Sequence, residues 1–223
     1  CVEGLACVCG DMGCPVVSGN VSLYNETPRG GIYPTPLVVT VGLVPHFTYF
    51  VRGGRSHEGD GVYLVGPASG SLGASRWQVL CGGPAFSAPR GATWRYDSAK
   101  ERDFITRAIF LSRKPDIKKS ARPVSGGGLA VTLAKEAIFS GVGMRIDLGG
   151  LNPTEVMFSE GGPRALYVIP PASEEKFLAC WQGYPVTRLG EAGGESLCVK
   201  NFLEVSVADL RSAHFGGNGV FSL

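Results

Sequence analysis

Apolar residues recur at helical spacing in three stretches of the chain. Between Ser98 and Ser112 the set is Phe104, Ile105, Ala108, Ile109 and Leu111. Leu129, Leu133 and Ala137 fall at i, i+4 and i+8, with Ala130, Ala134 and Ile138 widening the stripe. This predicts a helix from Leu129 to Phe139, closed by Gly141. A third helix over Ser173–Gln182 places Phe177, Leu178 and Trp181 inward. Shorter helices are expected over residues 1–13, closed by Gly13, over Ala74–Leu80, and from Asn152-Pro153 to Phe158. In the last of these Asn152 is a natural cap and Pro153 fits the first turn. Strands are expected at Val62–Val65, at the alternating Met144–Leu148, at Arg164–Ile169, and two or three times between Tyr184 and Val207. Near the start, Val16, Val17, Val21, Leu23 and Tyr24 are strand formers interrupted by Gly19-Asn20. A second strand, Leu37–Leu43, follows Pro34-Thr35-Pro36. Gly82–Asp97 reads as a surface loop. The strand–helix–strand–helix–strand order of the second half matches part of a ferredoxin-like unit.

Composition narrows the class. The chain has 223 residues, 44% hydrophobic and 18% charged, so a sizeable core can form and wholesale disorder is excluded. Its 33 glycines and 15 prolines show no collagen period, which points to a loop-rich α/β or α+β domain. A net charge of +2 is too mild for a dedicated nucleic-acid binder. No apolar run reaches the roughly 18 residues a membrane span needs. No basic-then-apolar leader is visible, and the 7 cysteines are an odd number, so a cytoplasmic, reducing location is expected. Cys1, Cys7, Cys9 and Cys14 could together bind Zn²⁺, but they lack a paired C-x₂-C spacing. An ordinary helix with buried thiols is the preferred reading. Cys81, Cys180 and Cys198 are expected to pack in the core.

Two segments carry candidate chemistry. In Ser18-Gly19-Asn20-Val21-Ser22, a bare glycine lets a phosphate approach the backbone. Asn20 offers a carbonyl oxygen to a hard cation such as Mg²⁺, and Ser22 would share its face of a strand. The competing reading is a plain turn. Asn20-Val21-Ser22 and Asn25-Glu26-Thr27 are also glycosylation sequons, which need a secretory context. Ser125-Gly126-Gly127-Gly128 precedes a helix and could form a phosphate loop, or a tight turn packed close to a neighbour. The basic run Arg113, Lys114, Lys118, Lys119 and Arg122 could attract phosphates but reads better as a solvated loop. His46 and His57 read as polar loop residues.

The run Pro15-Val16-Val17-Ser18-Gly19-Asn20-Val21-Ser22-Leu23-Tyr24-Asn25-Glu26-Thr27 resembles the phosphoribosylformylglycinamidine synthase family, part of the aminoimidazole ribonucleotide synthetase superfamily. Ile32-Tyr33-Pro34-Thr35-Pro36, Ser125-Gly126-Gly127-Gly128-Leu129-Ala130, Arg145-Ile146-Asp147-Leu148, Phe158-Ser159-Glu160 and Val205-Ser206-Val207-Ala208-Asp209-Leu210 follow in family order. The resemblance implies an α+β chain matching the last third of a longer synthetase. Residues 1–50 would be the C-terminal part of an ATP-binding domain, and 51–223 the α/β C-terminal domain of the superfamily. It implies amidation of formylglycinamide ribonucleotide, with ATP and Mg²⁺ as cofactors. Gly19 would lie against ATP, Asn20 would ligate Mg²⁺ and Ser22 would contact the substrate. The implied partners are a glutamine amidotransferase subunit, a small accessory subunit and the upstream part of the synthetase, with no nucleic acid and no membrane. The family's catalytic His and ATP-contacting Lys match nothing here, so the chain alone is expected to be incompetent. Alternatives are a non-catalytic nucleotide-binding or scaffold half, and a sister enzyme such as aminoimidazole ribonucleotide synthetase. The family's usual acidic residues are absent at Pro123 and Gly126, and the tail His214–Leu223 has no counterpart.

Overall fold

The computed structural model describes residues 1–32, 35–81 and 93–216. Tyr33 and Pro34, most of the expected loop Gly82–Asp97, and the tail beyond Gly216 lie outside the described residues. The chain divides into two units, Cys1–Pro45 and His46–Leu223.

The first unit opens with helix α1 (Val2–Met12), closed by Gly13 at φ 64°, whose N–H caps the last turn. Left-handed backbone of this kind favours glycine. No residue of α1 is buried. Cys1, Cys7 and Cys14 are exposed and Cys9 partly so, which corrects the expectation of buried thiols. The expected strands Val16–Tyr24 and Leu37–Leu43 do not form among the described residues. Pairing is confined to β1 (Glu26–Thr27) and β2 (Gly30–Gly31), a minimal antiparallel hairpin. β propensity alone does not make a strand: without a partner ladder these residues form none, and Val17, Leu23, Tyr24, Val41 and Leu43 are exposed.

In the second unit the elements run β3 (Gly61–Val65), α2 (Arg76–Leu80), α3 (Ser98–Ser112), β4 (Ser120–Pro123), α4 (Gly128–Ser140), β5 (Met144–Ile146), α5 (Pro153–Phe158), β6 (Ala165–Ile169), α6 (Glu174–Cys180), β7 (Val186–Ala192), β8 (Ser196–Val199), β9 (Leu203–Ser206) and α7 (Val207–Phe215). The seven strands of this unit make one sheet in the order β4-β6-β3-β7-β5-β8-β9. All its pairings are antiparallel except β5 with β8. The neighbouring strands β3 and β6 set Tyr63 opposite Tyr167, and every residue of both strands is buried.

The period of two along these strands builds two cores. Val62, Leu64, Leu166 and Val168 pack with Leu129, Leu133, Val156 and Met157 of α4 and α5. Tyr63, Val65, Tyr167 and Ile169 face Leu111 of α3, Phe177 of α6 and Trp181 just past the end of α6. Helices therefore cover both faces of the sheet, whereas a ferredoxin-like unit keeps its helices on one. The α+β class holds; the ferredoxin-like comparison does not.

Three local differences have physical causes. The basic run is not a solvated loop throughout, because Ser120–Pro123 forms edge strand β4 on β6, Ser120 opposite Val168. Neither Ser-Ala-Arg-Pro propensity nor periodicity shows this; tertiary pairing imposes it, and Pro123 is tolerated because the strand is an edge. Helix α7 was not expected. The Ser206 hydroxyl caps it by accepting from the Asp209 N–H at 3.0 Å. Leu178, expected inward, is 40% exposed, and Cys81 is exposed rather than in the core.

The cap of α5 forms as expected. Asn152 Oδ1 accepts from the N–H groups of Thr154 at 3.1 Å and Glu155 at 3.3 Å. Asn152→Ala should therefore lower stability by about 1 kcal/mol. The urea midpoint measures this, and an unchanged midpoint would mean the cap contributes nothing.

Candidate functional site

Residues 18–22 lie in the first unit, without helix or strand and with every position exposed. A side chain built at Gly19 would meet nothing within 4 Å. Among the described residues, the Asn25 side-chain N–H donates to the Ser22 carbonyl at 2.8 Å. Gly19, Asn20 and Ser22 are thus not joined into a built site by the described residues.

The glycine-rich turn is built. After β4, the Val124 N–H donates to the Arg164 carbonyl at 2.9 Å, extending the pairing toward β6. The Gly128 N–H then closes a turn on the Ser125 carbonyl at 2.8 Å. Gly127 and Gly128 take φ 89° and 70°. A side chain at Gly128 would sit 2.6 Å from the Met157 carbonyl oxygen and 2.8 Å from that of Ser159. Gly128 is therefore present for close approach to the end of α5, as the tight-turn reading requires.

The anion reading has a different outcome. The Gly127 N–H at the start of α4 donates to Glu160 Oε1 at 2.9 Å, and the Arg76 N–H donates to the same oxygen at 2.7 Å. A carboxylate of the chain itself fills the position where an anion gains from a helix N-terminus. Glu160 is fixed there by two backbone bonds with Ser71, each 2.8 Å.

Arg164 builds the wall behind it. The residue is 2% exposed, and its guanidinium donates to the Ser159 carbonyl at 2.6 Å, the Gly161 carbonyl at 3.1 Å and the Ser159 hydroxyl at 3.3 Å. Burial pushes its pKa down to about 10. The Ser159 hydroxyl also accepts from the Gly70 N–H at 2.7 Å, so the segments around Gly70 and Ser159 form one packed corner.

A second buried polar centre lies under α4. Glu136 is 1% exposed, and its carboxylate accepts from the Ser120 hydroxyl at 2.5 Å, the Ser56 hydroxyl at 2.6 Å, the Gly54 N–H at 2.6 Å, Arg122 Nε at 2.7 Å and the Arg55 N–H at 3.3 Å. Burial pushes its pKa up, but the donors together outweigh that and hold it below the ordinary glutamate value. This carboxylate ties the segment before β3 to β4 and α4.

Glu136, Glu160 and Arg164 had no assigned role from sequence. Glu136 carried a usable signal: it lies seven residues after Leu129, so a charge interrupts the buried stripe of α4. Gly126 has open space for a side chain, and Pro123 ends an edge strand opposite Ala165.

Residues 57–198 match the family model described as AIR synthase related protein, C-terminal domain. The chain belongs to the AIR synthase related family. It is 34% identical over 224 residues to phosphoribosylformylglycinamidine synthase subunit PurL of Thermoplasma acidophilum, covering 95% of this chain and 28% of that protein. The PurL subunit of Parvibaculum lavamentivorans is 35% identical over 222 residues, covering 97% of this chain and 29% of that protein. The chain thus spans less than a third of the length of these curated relatives. Among solved structures, PurLQS from Thermotoga maritima gives a TM-score of 0.70 at 16% identity, covering 94% of this chain and 35% of that one. The T. maritima PurL complex with FGAR gives 0.57 at 19% identity over 73% of this chain and 29% of that one. At these identities the structural likeness shows the fold.

The described residues do not by themselves assemble a metal site. Among the described residues no group of three or more His, Cys, Asp or Glu could hold an ion. The Asn20 carboxamide is a single oxygen, whereas Mg²⁺ takes near-octahedral oxygen coordination. The residues present therefore do not fit Mg²⁺ alone, and the four N-terminal thiols likewise do not make a zinc site. No helix among the described residues is long and apolar enough to cross a membrane.

Proposed function

We propose that the chain is one part of an ATP-dependent carbon–nitrogen ligase that converts formylglycinamide ribonucleotide to formylglycinamidine ribonucleotide in purine biosynthesis. The observation that carries this is identity of 34–35% to PurL subunits across 95–97% of the chain. In this reading the amide oxygen of the substrate attacks the γ-phosphorus of ATP and ADP leaves. Ammonia then adds to the activated carbon, a proton is lost, and the carbon–oxygen bond breaks to release phosphate. Gly19 would lie against ATP and Ser22 would contact the ribonucleotide. Asn20 would lend one oxygen to a Mg²⁺ whose other ligands lie outside the described residues.

The ammonia would come from glutamine through a separate amidotransferase subunit, with a small accessory subunit and the upstream part of the synthetase completing a cytoplasmic assembly. The T. maritima structure titled PurLQS favours a multi-subunit arrangement of this sort. One observation favours the alternative of a non-catalytic nucleotide-binding or scaffold half: Glu160 already holds the Gly127 N–H, which a phosphate loop would need free.

The test is ADP release by the chain joined to its upstream region, with ammonium, Mg²⁺ and formylglycinamide ribonucleotide. Release should depend on that substrate, and the chain alone should give none. Asn20→Ala should lower it about tenfold, the loss of one polar contact of about 1.4 kcal/mol. Release that ignores the substrate would sink the synthetase reading. Substrate-dependent release untouched by Asn20→Ala would remove Asn20 from the site.

A further inference from the structure

The second unit holds a cavity of about 710 Å³ between the segment leading into β3 and the approach to β4. Its volume is in the range of small-molecule pockets. Arg52, Arg55 and Lys118 line it, and none of the three side chains has an ion pair or hydrogen bond among the described residues.

Their backbones, by contrast, are pinned. The Arg52 carbonyl accepts from the Ala121 N–H at 3.3 Å. The Arg55 N–H donates to the Ser120 hydroxyl at 3.2 Å, and the Lys118 N–H to the Ser173 hydroxyl at 3.2 Å. Between the arginines, Gly53 and Gly54 let the chain press against its neighbours. A side chain at Gly53 would lie 2.6 Å from Arg122 Cγ, and one at Gly54 2.5 Å from Phe139 Cβ. The Arg-Gly-Gly-Arg sequence thus fixes two cations in one wall.

Three carboxylates of the surrounding segments already have partners. Glu136 is saturated by the donors described above. Asp116 pairs with Lys176 at 3.1 Å. Asp60, the acid in the cavity wall, accepts from the His57 N–H at 2.8 Å and lies 3.6 Å from His57 Nδ1. Lys119 also lines the cavity, with its ammonium donating to the Lys114 and Ile117 carbonyls. Arg52, Arg55, Lys118 and Lys119 thus stand against one carboxylate in the wall, Asp60, and this excess of positive charge raises the local potential and draws in anions. Phe47 and Phe50, 86% and 57% exposed, add apolar ring surface to the same cavity.

We propose that this cavity binds a phosphorylated small molecule carrying a flat ring, of the nucleotide class, with its phosphates on Arg52, Arg55 and Lys118 and its ring against Phe47 and Phe50. The ligand is recognised by charge and stacking within the second unit, without residues 18–22, so the inference stands apart from the synthetase reading.

The test is calorimetric titration of the full chain with ATP, pyrophosphate and adenosine, in EDTA at low salt. ATP should bind more tightly than pyrophosphate, and adenosine more weakly than either. Arg52→Gln, Arg55→Gln and Lys118→Gln should each weaken ATP about tenfold, as loss of one charge-assisted hydrogen bond does. Raised salt should weaken it further. Because the pinning contacts are backbone ones, the thermal midpoint should hold in each variant. Phe47→Ala should close the gap between ATP and pyrophosphate. With metal removed by EDTA, a Mg²⁺-dependent site at residues 18–22 does not contribute, which separates failure here from failure of the synthetase reading. Absence of millimolar ATP binding, ATP binding that survives removal of all three charges, or pyrophosphate matching ATP in the unmodified chain would each overturn the proposal.

Discussion

Replacing Glu136 by alanine should destabilise the chain by roughly 3–5 kcal/mol, the range found when one partner of a buried ion pair is removed. The carboxylate is acceptor to five groups at once. Alanine leaves Arg122, 21% exposed at its side chain, without its carboxylate. It also leaves buried Ser56 and Ser120 hydroxyls and the Gly54 and Arg55 N–H groups to find other acceptors. Each unsatisfied buried donor adds a penalty of about 1–3 kcal/mol unless water reaches it. Glu136→Gln keeps the shape and one acceptor oxygen, and should lose less.

The pH dependence has a definite sign. Burial opposes the charge of Glu136, yet the donors hold its carboxyl below the ordinary 4.5. The stability it contributes is fully present above 4.5 and is lost as the pH falls through the lower folded value. Urea unfolding of the two proteins should thus differ most near neutral pH, with the gap narrowing only below 4.5. A difference under about 1 kcal/mol at neutral pH, no larger than an ordinary point substitution, would mean the network is not the clamp described.

The same cluster shows what the sequence could reveal. The stripe Leu129, Leu133 and Ala137 is a local pattern, so α4 was legible to within a residue at each end. The Asn152-Pro153 start of α5 was equally legible, because a cap acts through its nearest neighbours. β4 was not. Ser120–Pro123 owes its conformation to β6, more than forty positions away, and its own residues state no preference. The clamp on Glu136 draws donors from positions 54–56, 120 and 122, so spacing could suggest a buried charge but not its partners. The candidate site divides in the same way. That Ser125–Gly128 precede a helix could be read directly, whereas the Glu160 carboxylate on the Gly127 N–H depends on a corner folded from three separate segments. Residues 16–24 carry strand-forming side chains and a family motif, yet propensity without a partner ladder leaves them outside any strand.

Gly128→Ala should have the other large effect, about 3 kcal/mol of lost stability. Two causes add. The residue sits at φ 70°, where a side chain pays roughly 1–2 kcal/mol of steric strain. The added carbon would also lie 2.6 Å from the Met157 carbonyl oxygen and 2.8 Å from the Ser159 carbonyl oxygen. Those are backbone atoms at the end of α5, where Met157 and Ser159 are buried, so they cannot swing aside as a flexible side chain would. Overpacking of this kind adds about 1–3 kcal/mol. Relief requires the turn to open, which would draw the Gly127 N–H away from Glu160 and expose both to water. Amide exchange at Gly127 and Arg76 should therefore quicken together, since both donate to the same Glu160 oxygen. Gly126→Ala is the matched comparison. A side chain there meets nothing within 4 Å, so it should change stability by less than about 0.5 kcal/mol. Equal effects at the two positions would show that the turn is not packed against α5. A large effect at Gly128 with unchanged exchange at Arg76 would show that Glu160 does not couple the two helix starts.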